Sequence, residues 1–148
     1  MELKPGGPRV DFHRAFVIDD DVRIQQFVMD TLAEHGFRTE SFSTAKPALE
    51  ALGGEHPAII FLDVALLHSD AIDVLIGLGE EDYAGVVVLM SAGRPQLVEA
   101  VQRLGVRHGV RLVPPLGKPI ARDAVLQAVA GIKSAVGSPQ PRRMTAKG

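Results

Sequence analysis

Side chains able to do chemistry stand directly after strongly apolar segments of this chain. Three such segments occupy residues 16–18, 59–62 and 86–90. The polar residues that follow them are Asp19 and Asp20, Asp63, and Ser91. Apolar runs of this kind predict strands buried on both faces, and in an open parallel sheet the sites lie outside the carboxyl ends of the strands. One edge of the predicted sheet is therefore a candidate site.

Each of these residues also has a simpler interpretation. Asp63 alone could cap the loop after it, and the run from Asp19 to Asp21 could serve only as a helix cap. Ser91 alone is typical of a turn, and Lys118, after the last apolar segment, is by itself an ordinary solvated lysine. Their joint occurrence at the ends of predicted strands is what favours a functional site.

The elements that must position these residues alternate along the chain. Apolar or mixed segments predict five strands, at residues 15–18, 38–42, 59–63, 86–90 and 110–113. Residues with helical spacing follow each segment: Ile24, Phe27, Val28 and Leu32; Ala48, Leu49 and Leu52; Ile72, Leu75 and Ile76; Leu97, Val101 and Leu104; and Val125, Leu126, Val129 and Ile132. This alternation predicts an α/β domain in which helices cover both faces of a parallel sheet.

Length and composition limit the remaining possibilities. The chain has 148 residues, enough for one domain with a substantial core. We expect a flexible lead-in at residues 1–13, a domain at 14–133 and a linker or tail at 134–148. The net charge of −2 and the absence of long apolar runs give no reason to expect nucleic acid or a membrane as a direct partner. There is no cysteine and no secretory pattern, so the expected location is cytoplasmic.

Taken together, the acidic residues, Ser91 and Lys118 make the chain resemble the receiver domain of two-component response regulators. The resemblance extends from about residue 14 to residue 133 and includes Ala92 after Ser91 and Pro119 after Lys118. It implies a flavodoxin-like, doubly wound (βα)5 domain, with a five-stranded parallel sheet in the order 2-1-3-4-5.

The resemblance also implies a role for each residue. Asp19 and Asp20 match the acids that bind Mg²⁺ together with Asp63, and Asp63 matches the acceptor of a phosphoryl group from a histidine kinase or phosphotransfer protein. Ser91 matches the residue that contacts a phosphoryl oxygen, and Lys118 the lysine that neutralises its charge. By this resemblance the chain is a signalling protein and not an enzyme, apart from its own phosphorylation and dephosphorylation. An output domain beyond the tail and a homodimer are further implied partners.

Elementary chemistry gives these roles a physical reason. Three carboxylates crowded at one edge repel one another, and a hard divalent cation such as Mg²⁺ removes that cost. Asp63 would attack phosphorus in line. The metal, Lys118 and the hydroxyl of Ser91 would spread the charge of a loose transition state.

Several positions depart from the usual receiver pattern. Leu66-Leu67 replaces a common Met-Pro pair, and Ala71 replaces a glycine. Pro115 stands where an aromatic side chain usually reorients during signalling, so we expect no aromatic switch. The segment from Ser91 to Lys118 is also longer than usual. Phosphorylation should survive these changes, but the usual output route is in doubt. The long form, with residues 109–113 and Leu116 before the Lys-Pro pair, loosely resembles receivers joined to EAL-type cyclic-di-GMP phosphodiesterases.

Two other functions stay open at this point. A metal-dependent phosphatase of the haloacid-dehalogenase type would use Asp19 as nucleophile, since Asp19-x-Asp21 follows a buried strand. Such an enzyme usually needs a cap insertion and a longer chain. A pseudo-receiver that only docks partners fits the altered output region but not the complete set of acids.

Overall fold

Five strands and six helices alternate along the residues that the computed structural model describes, 8–66 and 70–137. The elements are β1 (Arg9–Ile18), α1 (Val22–Ala33), β2 (Arg38–Phe42), α2 (Ala45–Glu50), β3 (Glu55–Asp63), α3 (Asp70–Glu80), β4 (Val86–Ser91), α4 (Pro95–Arg107), β5 (Arg111–Gly117), α5 (Arg122–Ala130) and α6 (Ile132–Gly137). The strands form one parallel sheet in the order β2-β1-β3-β4-β5. The predicted doubly wound α/β fold and its strand order are confirmed.

The hydrophobic core is divided by the sheet into two layers. Alternate residues of the central strands point to opposite faces, so Ile60 and Leu62 pack with α2, α3 and α4, whereas Ile59 and Phe61 pack with α1, α5 and α6. All residues of β3 and β4 except Glu55 are buried. The two central strands are thus held on both sides, which fixes the position of their carboxyl ends.

The first strand is longer than the sequence predicted. The expectation of a loose lead-in up to residue 13 is wrong for residues 9–13, because β1 begins at Arg9 and pairs there with Glu55 of β3. Val10 and Phe12 pack against the core layer of α1 and α5. Their alternation with polar neighbours was a strand signal. Residues 1–7 of the predicted lead-in lie outside the described part of the chain.

The end of the domain also differs from the prediction. The single last helix expected from the apolar spacing is two helices, because α5 stops at Ala130, and α6 begins after Gly131. Ile132, the first residue of α6, is buried in the core. The predicted tail is therefore wrong for residues 134–137, which are helical, and residues 138–148 lie outside the described part.

Strand β5 runs past its predicted end at residue 113. It includes Pro114 and Pro115, and its register with β4 shifts between the pairs Val88–Val113 and Met90–Leu116. Proline has no N–H to donate to a sheet, so it is confined to edge strands and bulges. As an edge strand with a bulge, β5 accommodates both prolines.

Two predicted core residues face outward. Phe27 of α1 is 38 % exposed and Ile72 of α3 is 40 % exposed. On α1 the buried positions are Gln25, Val28, Thr31 and Leu32, so two polar residues share the inner face with two apolar ones.

None of the helices in the described residues is long and apolar enough to cross a membrane.

Candidate functional site

Asp63 is the last residue of β3, the central strand of the sheet. It is only 4 % exposed, and one of its carboxylate oxygens, Oδ1, accepts a hydrogen bond from the N–H of Ala65 at 3.1 Å. The same oxygen lies 3.5 Å from Nζ of Lys118. The buried strand thus delivers a carboxylate to the sheet edge beside a cation, as the sequence predicted.

Asp19 follows β1 and is held at every polar atom. Its N–H donates to the carbonyl of Phe42 at 3.0 Å. Its carboxylate accepts from the N–H of Asp21 at 2.8 Å and from Nζ of Lys118 at 2.8 Å. Its carbonyl accepts from Nε2 of Gln25 at 2.5 Å. These bonds stabilise a carboxylate that is completely buried.

Asp20 completes a group of acids. One carboxylate oxygen each from Asp19, Asp20 and Asp63 lies within 4.8 Å of the others, and no other group of this kind occurs within residues 8–66 and 70–137. Asp20 is exposed, whereas the other two are buried. Three carboxylates of this arrangement fit Mg²⁺, which takes oxygen ligands and keeps several waters. The predicted metal-ligating residues therefore come together.

Lys118 reaches the acids from the loop after β5. Its ammonium contacts Asp19 and Asp63, and its backbone N–H donates to the carbonyl of Ser91 at 2.7 Å. Burial lowers the pKa of Lys118, but the hydrogen bond to Asp19 and the negative charges outweigh it, so this pKa is raised. Lys118 is therefore a fixed positive charge at any physiological pH.

The pKa of Asp19 is shifted upward. Burial is the largest cause and the charge of Asp63 adds to it, while the hydrogen bonds from Lys118 and Asp21 oppose the shift. Burial, with a smaller contribution from the charge of Asp63, thus makes ionisation of Asp19 less favourable. A bound divalent cation would offset this effect.

Ser91 ends β4 next to the acids. This residue is 5 % exposed, and its Oγ is the one buried side-chain nitrogen or oxygen without a hydrogen-bond partner among the described residues. Buried hydroxyls normally have a partner, so an unpaired one at a strand end is suited to a ligand oxygen. This observation fits the predicted contact with a phosphoryl group.

Sequence reasoning missed three buried polar residues, His56, Gln25 and Thr31. His56 is buried in β3, stacks on Tyr83 and accepts a hydrogen bond from the N–H of Ala84 at 3.1 Å. Burial lowers the pKa of His56. Gln25 lies in α1 and donates a hydrogen bond to the carbonyl of Asp19. The apolar run that follows His56 in the same strand was a signal for its burial, whereas Gln25 had none.

The region around Pro115, where receivers usually have an aromatic switch, contains an open groove. Pro115 is exposed on β5, and a groove of about 680 Å³ runs beside it between β5, α5 and α6. Its lining includes Leu116, Gln127 and Ala128. No aromatic residue belongs to this lining, as expected from the sequence.

The fold and the site together define a class: doubly wound α/β domains with an acid pocket, a lysine and a hydroxyl at the carboxyl edge of the sheet. The family model of the response regulator receiver domain matches residues 15–130. The chain belongs to the response regulator receiver family. No curated protein matches the chain significantly.

Solved structures of related proteins have the same fold. A response regulator from Colwellia psychrerythraea is 20% identical, with a TM-score of 0.68 over 85% of this chain and 98% of that one. NtrX from Brucella abortus, in complex with ADP, is 25% identical, with a TM-score of 0.70 over 82% of this chain and 27% of that one. The beryllofluoride-activated NtrC4 receiver domain dimer is 19% identical, with a TM-score of 0.70 over 84% of this chain and 99% of that one.

Proposed function

We propose that this receiver domain accepts a phosphoryl group on Asp63 from a histidine kinase or a phosphotransfer protein. The observation that carries the proposal is the surroundings of that carboxylate. Two further acids, the ammonium of Lys118 and the unpaired hydroxyl of Ser91 stand at the same sheet edge. A lone helix cap would need none of these neighbours.

The proposed reaction is a phosphoryl transfer between two side chains. A carboxylate oxygen of Asp63 forms a bond to phosphorus while the bond from phosphorus to the histidine nitrogen of the donor breaks. That nitrogen keeps the electron pair of the broken bond. Lys118 and Ser91 would contact the phosphoryl oxygens, on which the negative charge of the transition state lies; the nearness of Lys118 to Asp63 and the unpaired hydroxyl of Ser91 support these roles. Attack by water on the phosphorylated Asp63 would later release phosphate and restore the carboxylate.

Asp19, Asp20 and Asp63 would hold the Mg²⁺ that this chemistry needs. When bound, Mg²⁺ supplies positive charge to phosphate oxygens and reduces the repulsion between carboxylates. The hydrogen bonds to Asp19 keep its carboxylate in place beside the acceptor.

The proposal makes the protein a signalling module and not an enzyme with an external substrate. Its partners would be the phosphoryl donor and an output domain or a second copy. The match to about a quarter of the longer NtrX chain and to an NtrC4 receiver dimer supports partners of both kinds. The cytoplasmic location expected from the sequence stays part of this proposal.

Labelling with a small phosphoryl donor tests the proposal. Acetyl phosphate with Mg²⁺ should add one phosphoryl group to the wild-type protein, detected by intact mass, and Asp63→Asn should abolish the gain. Asp73→Asn, at an exposed aspartate of α3, is the matched control and should label normally.

Other labelling patterns would contradict the assignment. Full labelling of Asp63→Asn, or a phosphoryl group mapped to Asp19, would favour the phosphatase interpretation. A folded wild-type protein that takes up no label, from acetyl phosphate or from any phosphorylated donor domain, would instead be a docking module.

A further inference from the structure

Gln25 is a buried polar residue on a helix whose inner face is otherwise partly apolar. It is 8 % exposed and lies in the first turn of α1, close after the acids at the end of β1. Burying a carboxamide is unfavourable unless its N–H and C=O groups are paired. The position of Gln25 therefore depends on the groups that surround it.

The amide nitrogen of Gln25 contacts the ends of two strands. Nε2 donates to the carbonyl of Asp19 at 2.5 Å, and it makes longer contacts of 3.4 Å to the carbonyl of Phe42 and to Oγ of Ser43. Asp19 follows β1, and Phe42 ends β2. A carboxamide has two N–H groups, so one side chain can hold both strand ends to α1.

We infer that Gln25 is a positioning residue for the acid pocket. This inference rests on the proposed function, because it concerns the cation site of the phosphorylation reaction. Gln25 fixes the main chain of Asp19 through its carbonyl, while Lys118 and the N–H of Asp21 fix the carboxylate. The loop that carries Asp19 and Asp20 is thus set in position before a cation binds.

We expect Gln25 to affect metal affinity for the same reason as the residues that surround the ligands in other metal sites. Groups that orient ligands are held by their own hydrogen bonds, and their loss usually weakens metal binding by about 10- to 100-fold. Without Gln25 the carbonyl of Asp19 would lose its side-chain donor, and the loop would gain freedom that a cation must then remove.

Direct measurement of metal affinity tests this inference. Mn²⁺ is a suitable probe because it accepts the same oxygen ligands as Mg²⁺ and has an electron paramagnetic resonance signal. Gln25→Met keeps the length of the side chain and removes its N–H groups. We expect its dissociation constant for Mn²⁺ to rise about 10-fold or more.

Thr31→Val is the matched control on the same helix. Thr31 is also buried, and its hydroxyl donates to the carbonyl of Phe27 at 2.9 Å, within α1 and not to the β1–α1 loop. This variant should lose a buried hydrogen bond and some stability in urea with EDTA present, but should bind Mn²⁺ like the wild type.

The outcomes separate the inference from the proposed function. If the wild type binds Mn²⁺ and folded Gln25→Met binds it equally well, Gln25 is only structural and the inference is wrong. The inference is also wrong if Thr31→Val weakens binding as much as Gln25→Met, since the effect would then follow general stability. A folded wild type that binds no Mn²⁺ would overturn the proposed function together with the inference.

Discussion

Lys118 lies between two buried carboxylates, so the net charge of the pocket depends on a few individual residues. Its ammonium is 2.8 Å from Oδ2 of Asp19 and 3.5 Å from Oδ1 of Asp63, so one positive charge faces two negative ones. Asp20 adds a third carboxylate at the exposed side. The pocket thus has an excess of negative charge that suits a divalent cation, and Asp20 is the acid most open to solvent.

Mg²⁺ should therefore stabilise the fold, and Asp20→Ala should remove most of that effect. With a dissociation constant of about 1 mM, roughly 10 mM ion would contribute about 1.4 kcal/mol to the free energy of unfolding. For a domain of this size the melting temperature would rise by about 3–6 °C. Thermal unfolding followed by circular dichroism, with and without Mg²⁺, measures the shift.

Asp21→Asn is the control for the loss of a nearby carboxylate. Asp21 is the N-cap of α1 and accepts a hydrogen bond from the N–H of Arg23 at 2.9 Å, a role that asparagine also fills. This variant should keep the full Mg²⁺ shift. An unchanged shift in Asp20→Ala would count against the metal site.

At the scale of elements, β4 and β5 connect the acid pocket to the edge of the sheet. The N–H of Lys118 donates to the carbonyl of Ser91, and Ser91 is in register with Gly117. A movement of Ser91 toward a phosphoryl group would therefore be transmitted to the end of β5. Since Pro115 has no aromatic side chain to reorient, the signal would be a movement of backbone.

Amide hydrogen exchange can detect this movement. Beryllofluoride, which imitates a phosphoryl group, should change protection across residues 92–117, and not only beside Asp63. Pro114 and Pro115 have no amide hydrogen, so the test depends on α4 and on the other residues of β5. Asp63→Asn should show no change. If beryllofluoride binds and protection changes only next to Asp63, the backbone route is wrong.

The strands also show which features of the fold and the site could be predicted from the sequence alone. The carboxyl ends of the strands predicted at 59–63 and 86–90 were predictable because their apolar runs stop at clear polar residues, and these ends placed Asp63 and Ser91 correctly. The start of β1 and the prolines of β5 were not, because pairing with β3 and β4 overrides weak local signals. The partners of Asp19 depend on tertiary contacts, so neither the bond from Gln25 nor the distances in the pocket follow from spacing.

For the whole molecule, both ends of the described chain add to one core layer. The N-terminal half of β1 contributes Val10 and Phe12, and α6 contributes Ile132, Ala135 and Val136. The ammonium of Lys133 lies 5.9 Å from the centre of the ring of Phe12, where the two additions meet. The family match ends at residue 130, yet the packed domain continues through α6.

Ile132→Ala tests whether α6 is part of the cooperative fold. Ile132 is buried in the layer beneath α1 and α5, so its truncation should lower the free energy of unfolding by about 2–4 kcal/mol, through lost burial and the remaining cavity. Lys133→Ala, at an exposed neighbour, removes only the contact with Phe12 and should lower it by about 1 kcal/mol or less. Urea unfolding measures both variants. A similarly small loss in both would mean that α6 detaches before the sheet unfolds. In that case the stable domain would end with α5, and α6 would be free to carry a signal away from the sheet.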